Sequence, residues 1–431
     1  MKNRYMHPRD EILATMARIY RYRLTTTSGG NISIREPDGT MWITPARIDK
    51  GALRREDIVC VRPDGSIEGL HPPSSEYPFH KAIYVARPDL TGIVHAHPVA
   101  LVAFSTSRTG LDTRLFHQAR HVCGEVGFAP YALPGSESLG ASIAGAFEGG
   151  VRCVLMDHHG VVVGGRDLQH AFQQFETLEF TAQTIIRAEM LGTVRYLTEE
   201  EVALPHRSAP SIESFEAGEA SSEEKELRRG LSEFVRRGYQ QRLLISTEGS
   251  FSARLGEDEF LITPYQMDRQ TLGEGDLVVV KNGQAEAGKR ASRAILNHRA
   301  VYQQHPEIGA LVNAYTVNAT AFSVTGCELM SRTIPESYIF LREVGRLPFG
   351  VQFTSPEKVA AAISAEQPIL VLENDGVLVA GSTVLETYDR LEVLESTARA
   401  LIDARALGGV LPLPDSAVTE LEEKFLRKPT A

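Results

Sequence analysis

Cysteine is scarce in this chain of 431 residues, which contains only Cys60, Cys123, Cys153 and Cys327. The four lie far apart, and none forms the C-x-x-C spacing that is typical of metal-binding or redox motifs. Such usage argues against a disulfide framework and fits a protein that folds in a reducing compartment. We therefore expect free, buried thiols and a cytoplasmic location.

The sequence also lacks long apolar runs and an excess of positive charge. No stretch approaches the roughly 18 apolar residues that a membrane-spanning helix requires. The formal net charge of −10 argues against binding to a nucleic-acid backbone, because proteins that do so concentrate Lys and Arg. Residues 1–10 mix charges without an apolar core, so no signal peptide is expected. The expected partner is a small molecule, not nucleic acid or membrane.

An internal repeat divides the chain. At 431 residues, two domains of about 200 residues are expected. The segment TTSGGNISIR at 26–35 aligns with ISTEGSFSAR at 245–254, an offset of 219 residues. IVHAHPVALVAFS at 93–105 aligns with LVNAYTVNATAFS at 311–323, an offset of 218. Offsets that change so little over this length predict a duplicated fold with small loop changes.

We assign the first copy to residues 1–205, the second to 225–431, and a polar linker without a hydrophobic period to 206–224. Helices and strands alternate in each copy, which predicts an α/β fold with a sheet covered by helices on both faces. One helix is expected to follow Ser75, with Ser74 or Ser75 as its N-cap. Other helices are predicted over Glu11 to Arg21, 136–147, Asp167 to Leu191 and Glu223 to Arg237, and single strands over 92–97 and 152–165.

Histidine is distributed very unevenly between the copies. Of 13 histidines, ten lie at or before His170. His95 and His97 are two residues apart on a predicted strand, so both side chains face the same way. His159 precedes Gly160 at another predicted strand end. An isolated HxH pair is as well explained by core or surface histidines, but three imidazoles with an open position are typical of a catalytic zinc site.

The motifs TSGGNIS, ITP, PPSSEYPFH, IVHAHP and DHHGVVVGG follow one another in an order and spacing that resemble the class II aldolase/adducin family. The resemblance covers residues 8–200 and, in weaker form, 225–405. It implies two tandem three-layer αβα domains, each with a mixed, largely antiparallel central sheet. The family includes sugar-phosphate aldolases, ribulose-phosphate 4-epimerases and the non-catalytic adducins.

The resemblance implies metal ligands at His95, His97 and His159 and an acid/base carboxylate at Glu76. The alternative for Glu76 is an ordinary first-turn acid, favoured by the helix dipole. One divalent ion per chain is expected, with Zn as the first choice and Mn, Fe or Co as alternatives, because imidazole suits several metals. His158 is expected to face away, since side chains alternate along a strand. Recognition of an oxyanion or phosphate is implied for Gly30, Asn31, Thr44, Ser74 and Ser75.

Two departures from the family pattern bear on the substrate. The usual Thr-Pro-Ser-Gly loop is TPAR at 44–47, in which Arg47 adds a guanidinium suited to a phosphate or a carboxylate. Phe116 stands where sugar-phosphate aldolases have a proton-donating tyrosine. Neighbouring His117 or His121 is the candidate replacement, and each is otherwise a surface or loop histidine.

The second copy lacks the metal ligands. Asn313 and Tyr315 align with the two strand histidines, and Asp375 aligns with the third. The acid is replaced by Ala294 or by Ile295, depending on whether the offset is 218 or 219. We therefore expect no catalytic metal in the second copy.

Two classes of function are compatible with such a chain. The first is a metal-dependent lyase that cleaves a carbon–carbon bond in a small hydroxy-carbonyl compound. Decarboxylation, epimerisation, dehydration and metal-dependent oxygenation use similar ligands and remain alternatives. The second class is a non-catalytic, adducin-like interaction protein. The retained histidines and Glu76 favour the enzyme.

The resemblance also implies an oligomer. Class II aldolases of this type form cyclic tetramers in which a neighbouring subunit contributes to each active site. Two tandem chains would give a homodimer with a pseudo-tetrameric ring of four domains. The segment PESYIFLR at 335–342 aligns with Phe116 to Cys123, the level of the loop that crosses the interface. Glu336, Tyr338 and Arg342 are therefore candidates for the missing proton donor and anion contact, and plain interface or surface positions otherwise.

Overall fold

The computed structural model describes residues 6–207 and 212–426, which form two compact units. The first unit comprises residues 1–113 and 118–183, and the second comprises 114–117 and 184–431. Segments 114–117 and 184–205, which belong to the first repeat, are therefore part of the second packing unit. No helix among the described residues is long and apolar enough to cross a membrane.

The first copy contains eight strands and seven helices in its described residues. The strands are β1 Asn31–Arg35, β2 Met41–Ile43, β3 Val59–Val61, β4 Ile67–Glu68, β5 Gly92–Ala96, β6 Val126–Ala129, β7 Cys153–Met156 and β8 Gly160–Gly165. The helices are α1 Pro8–Arg21, α2 Tyr77–Ala86, α3 Val99–Ser107, α4 His117–Cys123, α5 Glu137–Glu148, α6 Leu168–Glu189 and α7 Glu199–Arg207.

The strands form one sheet in the order β4-β3-β2-β1-β5-β8-β7-β6. Every neighbouring pair is antiparallel except β6 and β7. Helices α2 and α5 pack on one face, where Ile83 and Ile143 join strand residues such as Ile93 in a buried core. Because side chains alternate along a strand, Ile32 and Val94 point to the other face, beside α1 and α3. The predicted layered α/β fold is confirmed.

The second copy repeats this arrangement. Its strands are β9 Ser214–Phe215, β10 Ser250–Gly256, β11 Glu259–Ile262, β12 Val278–Lys281, β13 Gln284–Glu286, β14 Ala310–Ala314, β15 Val344–Leu347, β16 Ile369–Leu372 and β17 Gly376–Gly381. Its helices are α8 Ser222–Gln240, α9 Ile295–Gln304, α10 Val317–Ser323, α11 Pro335–Leu341, α12 Val351–Thr354, α13 Pro356–Ala362, α14 Val384–Ala404 and α15 Asp415–Leu421, followed by a π-helical turn, Glu422–Leu426.

The order of the second sheet is β15-β16-β17-β14-β10-β11-β12-β13-β9, which is the first sheet with one strand added at its edge. The added strand, β9, pairs parallel with β13 and lies inside the predicted linker. The linker thus contributes an edge strand and the start of α8; residues 208–211 lie outside the described residues. A two-residue strand carries too little periodic pattern to be recognised from sequence.

Most predicted helices agree with the structure to within a few residues, but the single strand predicted over 152–165 is wrong. Residues 153–165 form a hairpin in which β7 and β8 pair antiparallel around a tight turn. His158 lies in that turn with a φ of 51°. We predicted that the His158 side chain faces away from His159 because the two would be neighbours on one strand. That reason does not hold, since both residues lie in the turn.

All four cysteines are free, as predicted. Cys60, Cys123 and Cys153 are buried, but Cys327 is partly exposed. The Cys327 sulfur accepts a hydrogen bond from the Arg405 guanidinium at 3.0 Å. The expectation of burial was therefore wrong at this position, where a polar contact takes the place of apolar packing.

Each sheet carries the same buried polar cluster, which we call the Ser–His–Tyr cluster. In the first copy, Ser33 Oγ lies 2.7 Å from His80 Nδ1 and 2.9 Å from the Tyr84 hydroxyl. In the second, Ser252 Oγ lies 2.6 Å from His298 Nδ1 and 2.7 Å from the Tyr302 hydroxyl. Because the cluster persists where the metal ligands are lost, the fold itself uses it.

We predict that acid destabilises the second unit partly through His298. Burial lowers the pKa of His298 to about 4. Its folded pKa lies below the unfolded value, so the unfolded state binds a proton first and stability falls as pH drops from about 6.5 towards 4. Between pH 7 and 5 this group removes about 2 kcal/mol. Urea unfolding of His298→Gln, which does not titrate, should show a correspondingly smaller loss. An identical loss in both proteins would contradict this assignment.

Candidate metal centre

Three histidines converge at the end of β5. His95 lies on the strand, opposite Asn31 of β1 and Val162 of β8, and His97 follows the strand directly. His159 lies at the end of the β7–β8 turn. Ligand atoms of the three imidazoles lie within 4.8 Å of one another, and no other such group of His, Cys, Asp or Glu occurs among the described residues. The predicted ligands are therefore close together.

Gly160 permits the close approach of this turn to β5. A Cβ at Gly160 would lie 2.6 Å from the Ala96 carbonyl oxygen and 2.7 Å from His97 Cδ2. Any side chain would push the turn, and with it His159, away from the other histidines. Gly376 has the same relation to Ala314 in the second copy, where a Cβ would lie 2.5 Å from the carbonyl oxygen. The close approach is thus a property of the fold.

The imidazole nitrogens suit coordination of a divalent ion. His95 Nδ1 donates a hydrogen bond to the Val161 carbonyl at 2.8 Å, which fixes the proton on Nδ1 and leaves a lone pair on Nε2. That Nε2 lies 3.0 Å from His97 Nε2. Burial, with His95 and His159 nearby, lowers the pKa of His97 to about 3, so this ring is neutral and able to ligate. Three such donors fit zinc or a similar metal.

Glu76 directs a buried carboxylate at the same point. Its Oε2 lies 3.1 Å from His95 Nε2, and its Oε1 lies 3.2 Å from His159 Nε2. The Asn31 amide donates a hydrogen bond to Oε2 at 2.7 Å. Burial alone would raise the pKa of Glu76, but interactions with His95 and His159 outweigh it and hold that pKa below its usual range. The predicted acid is therefore beside the histidines.

The prediction that Ser74 or Ser75 caps α2 is wrong. Helix α2 begins at Tyr77 with Glu76 as its N-cap, and the Glu76 side chain makes no capping bond. The carboxylate is directed to Asn31 and the histidines, so it is not available to its own helix. Ser74 Oγ instead accepts a hydrogen bond from the Glu76 backbone N–H at 3.3 Å. The prediction failed because it followed the preference of serine over glutamate at N-caps, whereas the helix begins one residue later than the serines allow.

The residues predicted to recognise an oxyanion differ in burial. Gly30 has a φ of 71°, and a Cβ there would lie 2.7 Å from the His95 carbonyl oxygen, so only glycine fits. Asn31 and Ser74 are buried beside Glu76. Ser75 and Arg47 are exposed, and Arg47 adopts a left-handed φ of 57°.

Thr44 has a different environment. Its side chain is completely buried, and its hydroxyl accepts a hydrogen bond from the Ile32 backbone N–H at 3.2 Å. Thr263 accepts the same bond from Phe251 in the second copy, also at 3.2 Å. A contact that both copies keep is explained by folding, and it gives no support to substrate binding by Thr44.

His80 is a residue of the site that the sequence reasoning missed. It follows Glu76 by one turn of α2, and its Nε2 lies 2.5 Å from Asn31 Oδ1. Asn31 in turn contacts Glu76. The i, i+4 spacing from Glu76 to His80 was a signal that could have identified it.

Two of the candidate proton donors, His117 and Tyr338, lie in the second compact unit. His117 is buried, with Nε2 3.5 Å from Asp375 Oδ1 and its ring against Phe353. The Tyr338 hydroxyl donates to Glu422 at 2.6 Å. Neither is part of the three-histidine group within the chain. His158, which was expected to face away from the ligands, has a largely exposed side chain whose Nε2 lies 3.6 Å from Asp157 Oδ1.

The corresponding position in the second copy holds a network of neutral and acidic groups. The Tyr315 hydroxyl donates to Asp375 Oδ1 at 2.5 Å, and Gln352 Nε2 donates to Asp375 Oδ2 at 3.1 Å. Burial and the Asp375 charge raise the pKa of Tyr315 well above its ordinary value. Ala294, the N-cap of α9, is the residue at the Glu76 position, which settles the alternative left open by the two offsets.

Comparison with known proteins agrees with the repeat. The family described as "Class II Aldolase and Adducin N-terminal domain" matches residues 10–186 and again residues 229–402. This chain belongs to the class II aldolase/adducin family, as a tandem duplication.

Each of the following relatives matches a stretch about as long as one copy. The 5-deoxy-D-ribulose 1-phosphate aldolase of Bacillus thuringiensis serovar kurstaki is 32% identical over 199 residues, which cover 45% of this chain and 91% of that protein. The 3-oxo-tetronate 4-phosphate decarboxylase of Pectobacterium atrosepticum is 34% identical over 202 residues, covering 45% and 90%. A solved L-fuculose 1-phosphate aldolase is 32% identical with a TM-score of 0.43, covering 46% and 93%.

We predict one tightly bound divalent ion per chain. Elemental analysis of the purified protein by plasma mass spectrometry should give one equivalent, because only the first copy has the three imidazoles. His95→Ala should lose the ion, whereas Asn313→Ala, its counterpart in the second copy, should retain it. Two firmly held equivalents would show that the second copy also binds metal.

Proposed function

We propose that this protein is a divalent-metal-dependent lyase that cleaves a carbon–carbon bond in a small hydroxy-carbonyl compound. The observation that carries the proposal is the Glu76 carboxylate within 3.2 Å of two histidines of the three-histidine group. Family membership and relatives named as aldolase and decarboxylase support lyase chemistry. A single divalent ion, with zinc as the first choice, is part of the proposal.

The residues of the site have separate roles in this scheme. His95, His97 and His159 would hold a divalent ion, which when bound would supply a Lewis acid for a carbonyl group of the substrate. Glu76 transfers the proton that carbon–carbon cleavage requires, taking it from a hydroxyl or returning it to carbon. Asn31 holds the buried carboxylate through a hydrogen bond of 2.7 Å to Oε2.

A phosphate or carboxylate on the substrate has candidate partners next to the site. The named relatives act on phosphorylated compounds, which favours a phosphorylated substrate. Gly30, Ser74 and Ser75 offer backbone and hydroxyl donors, and exposed Arg47 offers a guanidinium. We do not include Thr44, because its hydroxyl and both of its backbone polar groups already make hydrogen bonds within the fold.

Decarboxylation is the second candidate. It needs the same polarised carbonyl, and it releases carbon dioxide in place of an aldehyde. Arg47 favours it to the extent that a guanidinium binds a carboxylate as well as a phosphate. Epimerisation, dehydration and oxygenation have no comparable support from the contacts of the site.

One screen distinguishes these reactions. Metal-loaded protein is incubated with 5-deoxy-D-ribulose 1-phosphate, L-fuculose 1-phosphate and 3-oxo-tetronate 4-phosphate, and products are followed by NMR. Aldol cleavage of either ketose phosphate releases dihydroxyacetone phosphate, whereas decarboxylation releases carbon dioxide from the third compound. An absence of turnover after zinc, manganese, iron and cobalt loading would favour the interaction protein.

We predict that Glu76→Gln retains metal and fold but loses about 10²- to 10⁴-fold in kcat, the usual range for general acid/base catalysis. Glutamine keeps the shape and the contact with Asn31 but cannot take up a proton. Steady-state kinetics and metal content are measured together. Ala294→Gln, at the same helix position in the second copy, serves as the control. Full activity of Glu76→Gln would remove this residue from the mechanism.

We also propose that two chains form a homodimer with four domains in a ring. Segment 114–117 packs within the second unit, where His117 contacts Asp375, the counterpart of His159. The equivalent segment of the second copy is uncovered, with Ile334 51% exposed and Glu336 also exposed. By the symmetry of the repeat, this segment would dock at the first-copy site of a partner chain.

A cytoplasmic location, based on cysteine usage, stays a prediction.

Mass measurement tests the ring. Light scattering should give the mass of two chains, and Ile334→Glu should shift the protein to one chain, because the charge would be buried at the contact. Tyr338→Phe tests the donor separately: we predict a lower kcat with an unchanged dimer. A fully active single chain would exclude the ring. Unchanged kinetics in Tyr338→Phe would exclude only the donor, while leaving the dimer in place.

A further inference from the structure

His80 is a buried residue that the proposed reaction does not use directly. It is completely buried on α2, one turn after Glu76. Burial, with a smaller effect from His95, lowers the pKa of His80 to about 3, so the ring is neutral near pH 7. A neutral imidazole has one N–H donor and one acceptor nitrogen, and each needs a suitable partner when it is buried.

The partners of His80 fix which nitrogen carries the proton. Nε2 lies 2.5 Å from Asn31 Oδ1, an amide oxygen that can only accept, so Nε2 must donate. Nδ1 then accepts from the Ser33 hydroxyl at 2.7 Å. The Ser33 oxygen is free to accept from Tyr84, whose hydroxyl lies 2.9 Å away. The hydrogen bonds therefore run in one direction, from Tyr84 towards Asn31.

The Asn31 amide bridges His80 and Glu76. Its Oδ1 is held by His80, and its amide nitrogen faces the other way and donates to Glu76 Oε2 at 2.7 Å. If the amide turned over, its oxygen would face the Glu76 carboxylate, and His80 would have to carry its proton on Nδ1 in order to accept at Nε2. The carboxylate therefore selects this amide orientation, and the His80 N–H anchors the amide through Oδ1.

We infer that His80 is a positioning residue, which holds the Glu76 carboxylate beside the three histidines by anchoring the Asn31 amide that bonds it. The inference rests on the acid/base role proposed for Glu76. In this role His80 does not contact the substrate, but it controls the geometry of proton transfer by Glu76.

The second copy supplies an internal comparison. His298 keeps the same serine and tyrosine partners, Ser252 and Tyr302. Its Nε2 contacts Asn313 Oδ1 at 2.7 Å, and Ala294 takes the place of the glutamate. The Ser–His–Tyr cluster therefore serves folding in both copies. The branch from the imidazole through an amide to a carboxylate exists in the first copy alone.

This comparison gives matched variants. His80→Leu and His298→Leu remove the same imidazole from equivalent places in the two copies, so a structural cost should appear in both. His80→Gln restores a side-chain N–H donor at a position close to that of Nε2. Crystal structures of the zinc-loaded variants should show the Glu76 carboxylate displaced or in two positions in His80→Leu, and in its original place in His80→Gln and His298→Leu. An unmoved carboxylate in His80→Leu would overturn the inference.

Histidine ring ¹⁵N spectra of the unmodified protein test the same point without a variant. We expect His80 as a neutral ring with the proton on Nε2, assigned by its loss in His80→Gln. A proton on Nδ1 would require the opposite Asn31 orientation and would also overturn the inference, even if His80→Leu fails to fold.

Kinetics provide the functional measure, with whichever of 5-deoxy-D-ribulose 1-phosphate, L-fuculose 1-phosphate and 3-oxo-tetronate 4-phosphate is turned over. In His80→Leu we expect kcat to fall about 10- to 100-fold, the usual cost of losing such a supporting contact, with KM and metal content little changed. His80→Gln should recover most of that loss, and His298→Leu should keep full kcat despite a similar drop in thermal stability. Equal kcat in the two leucine variants would leave His80 a purely structural role. Failure of the proposed function is distinguished by Glu76→Gln remaining active.

Discussion

The convergence of three imidazoles and one carboxylate in a buried space is the constraint on which the first copy depends. His95 offers a nitrogen without a proton, and His97 directs its own Nε2 at that atom from 3.0 Å. Lone pairs so close together repel unless a proton or a metal ion lies between them. The surrounding fold holds the two rings at a distance where their nitrogens can share a proton or a cation. Gly160 and Gly30 do so by letting the backbone approach where a side chain would clash.

The two copies separate what folding needs from what chemistry needs. Both keep the strand order and the Ser–His–Tyr cluster. Both also keep the buried threonine, Thr44 or Thr263, whose hydroxyl accepts a hydrogen bond from the neighbouring strand. Only the first keeps the imidazoles and the acid. In the second, Asp375 is satisfied by Tyr315, Gln352 and His117 in place of a metal. The loss of the site thus required replacement contacts for a buried acidic group, since such a charge is costly without partners.

Sequence reasoning was most successful where a pattern repeats. The duplication, the layered fold and the grouping of His95, His97 and His159 all follow from motifs that occur in order. It failed where the local structure depends on which of several possible hydrogen-bond partners a side chain has in the fold. Glu76 rather than a serine became the N-cap because its carboxylate is held elsewhere. The hairpin at residues 153–165 was predicted to be one strand because both of its arms are apolar and the turn between them has only three residues.

The spacing of apolar residues also did not reveal that segments of the first repeat pack in the second unit. The Asn374 side chain donates to the carbonyl oxygens of Leu115 and Arg195, and all three residues belong to the second unit. Nothing in the spacing of apolar residues indicates that two short segments of the first repeat join the core of the second. Such long-range pairing requires the folded backbone, because the partners are separated by more than a hundred residues.

The mismatch between repeat and packing unit makes the chain hard to sever. A cut at residue 205 would follow ancestry, yet it would remove from the second unit segments 114–117 and 184–205, together with their bonds to Asn374. A later cut, beyond β9, would instead leave β13 as an open sheet edge, and open edges pair readily with foreign strands. Neither half is thus a module that can be exchanged between proteins. The two copies of the duplication are therefore still separate in sequence, but they no longer coincide with the units that pack together.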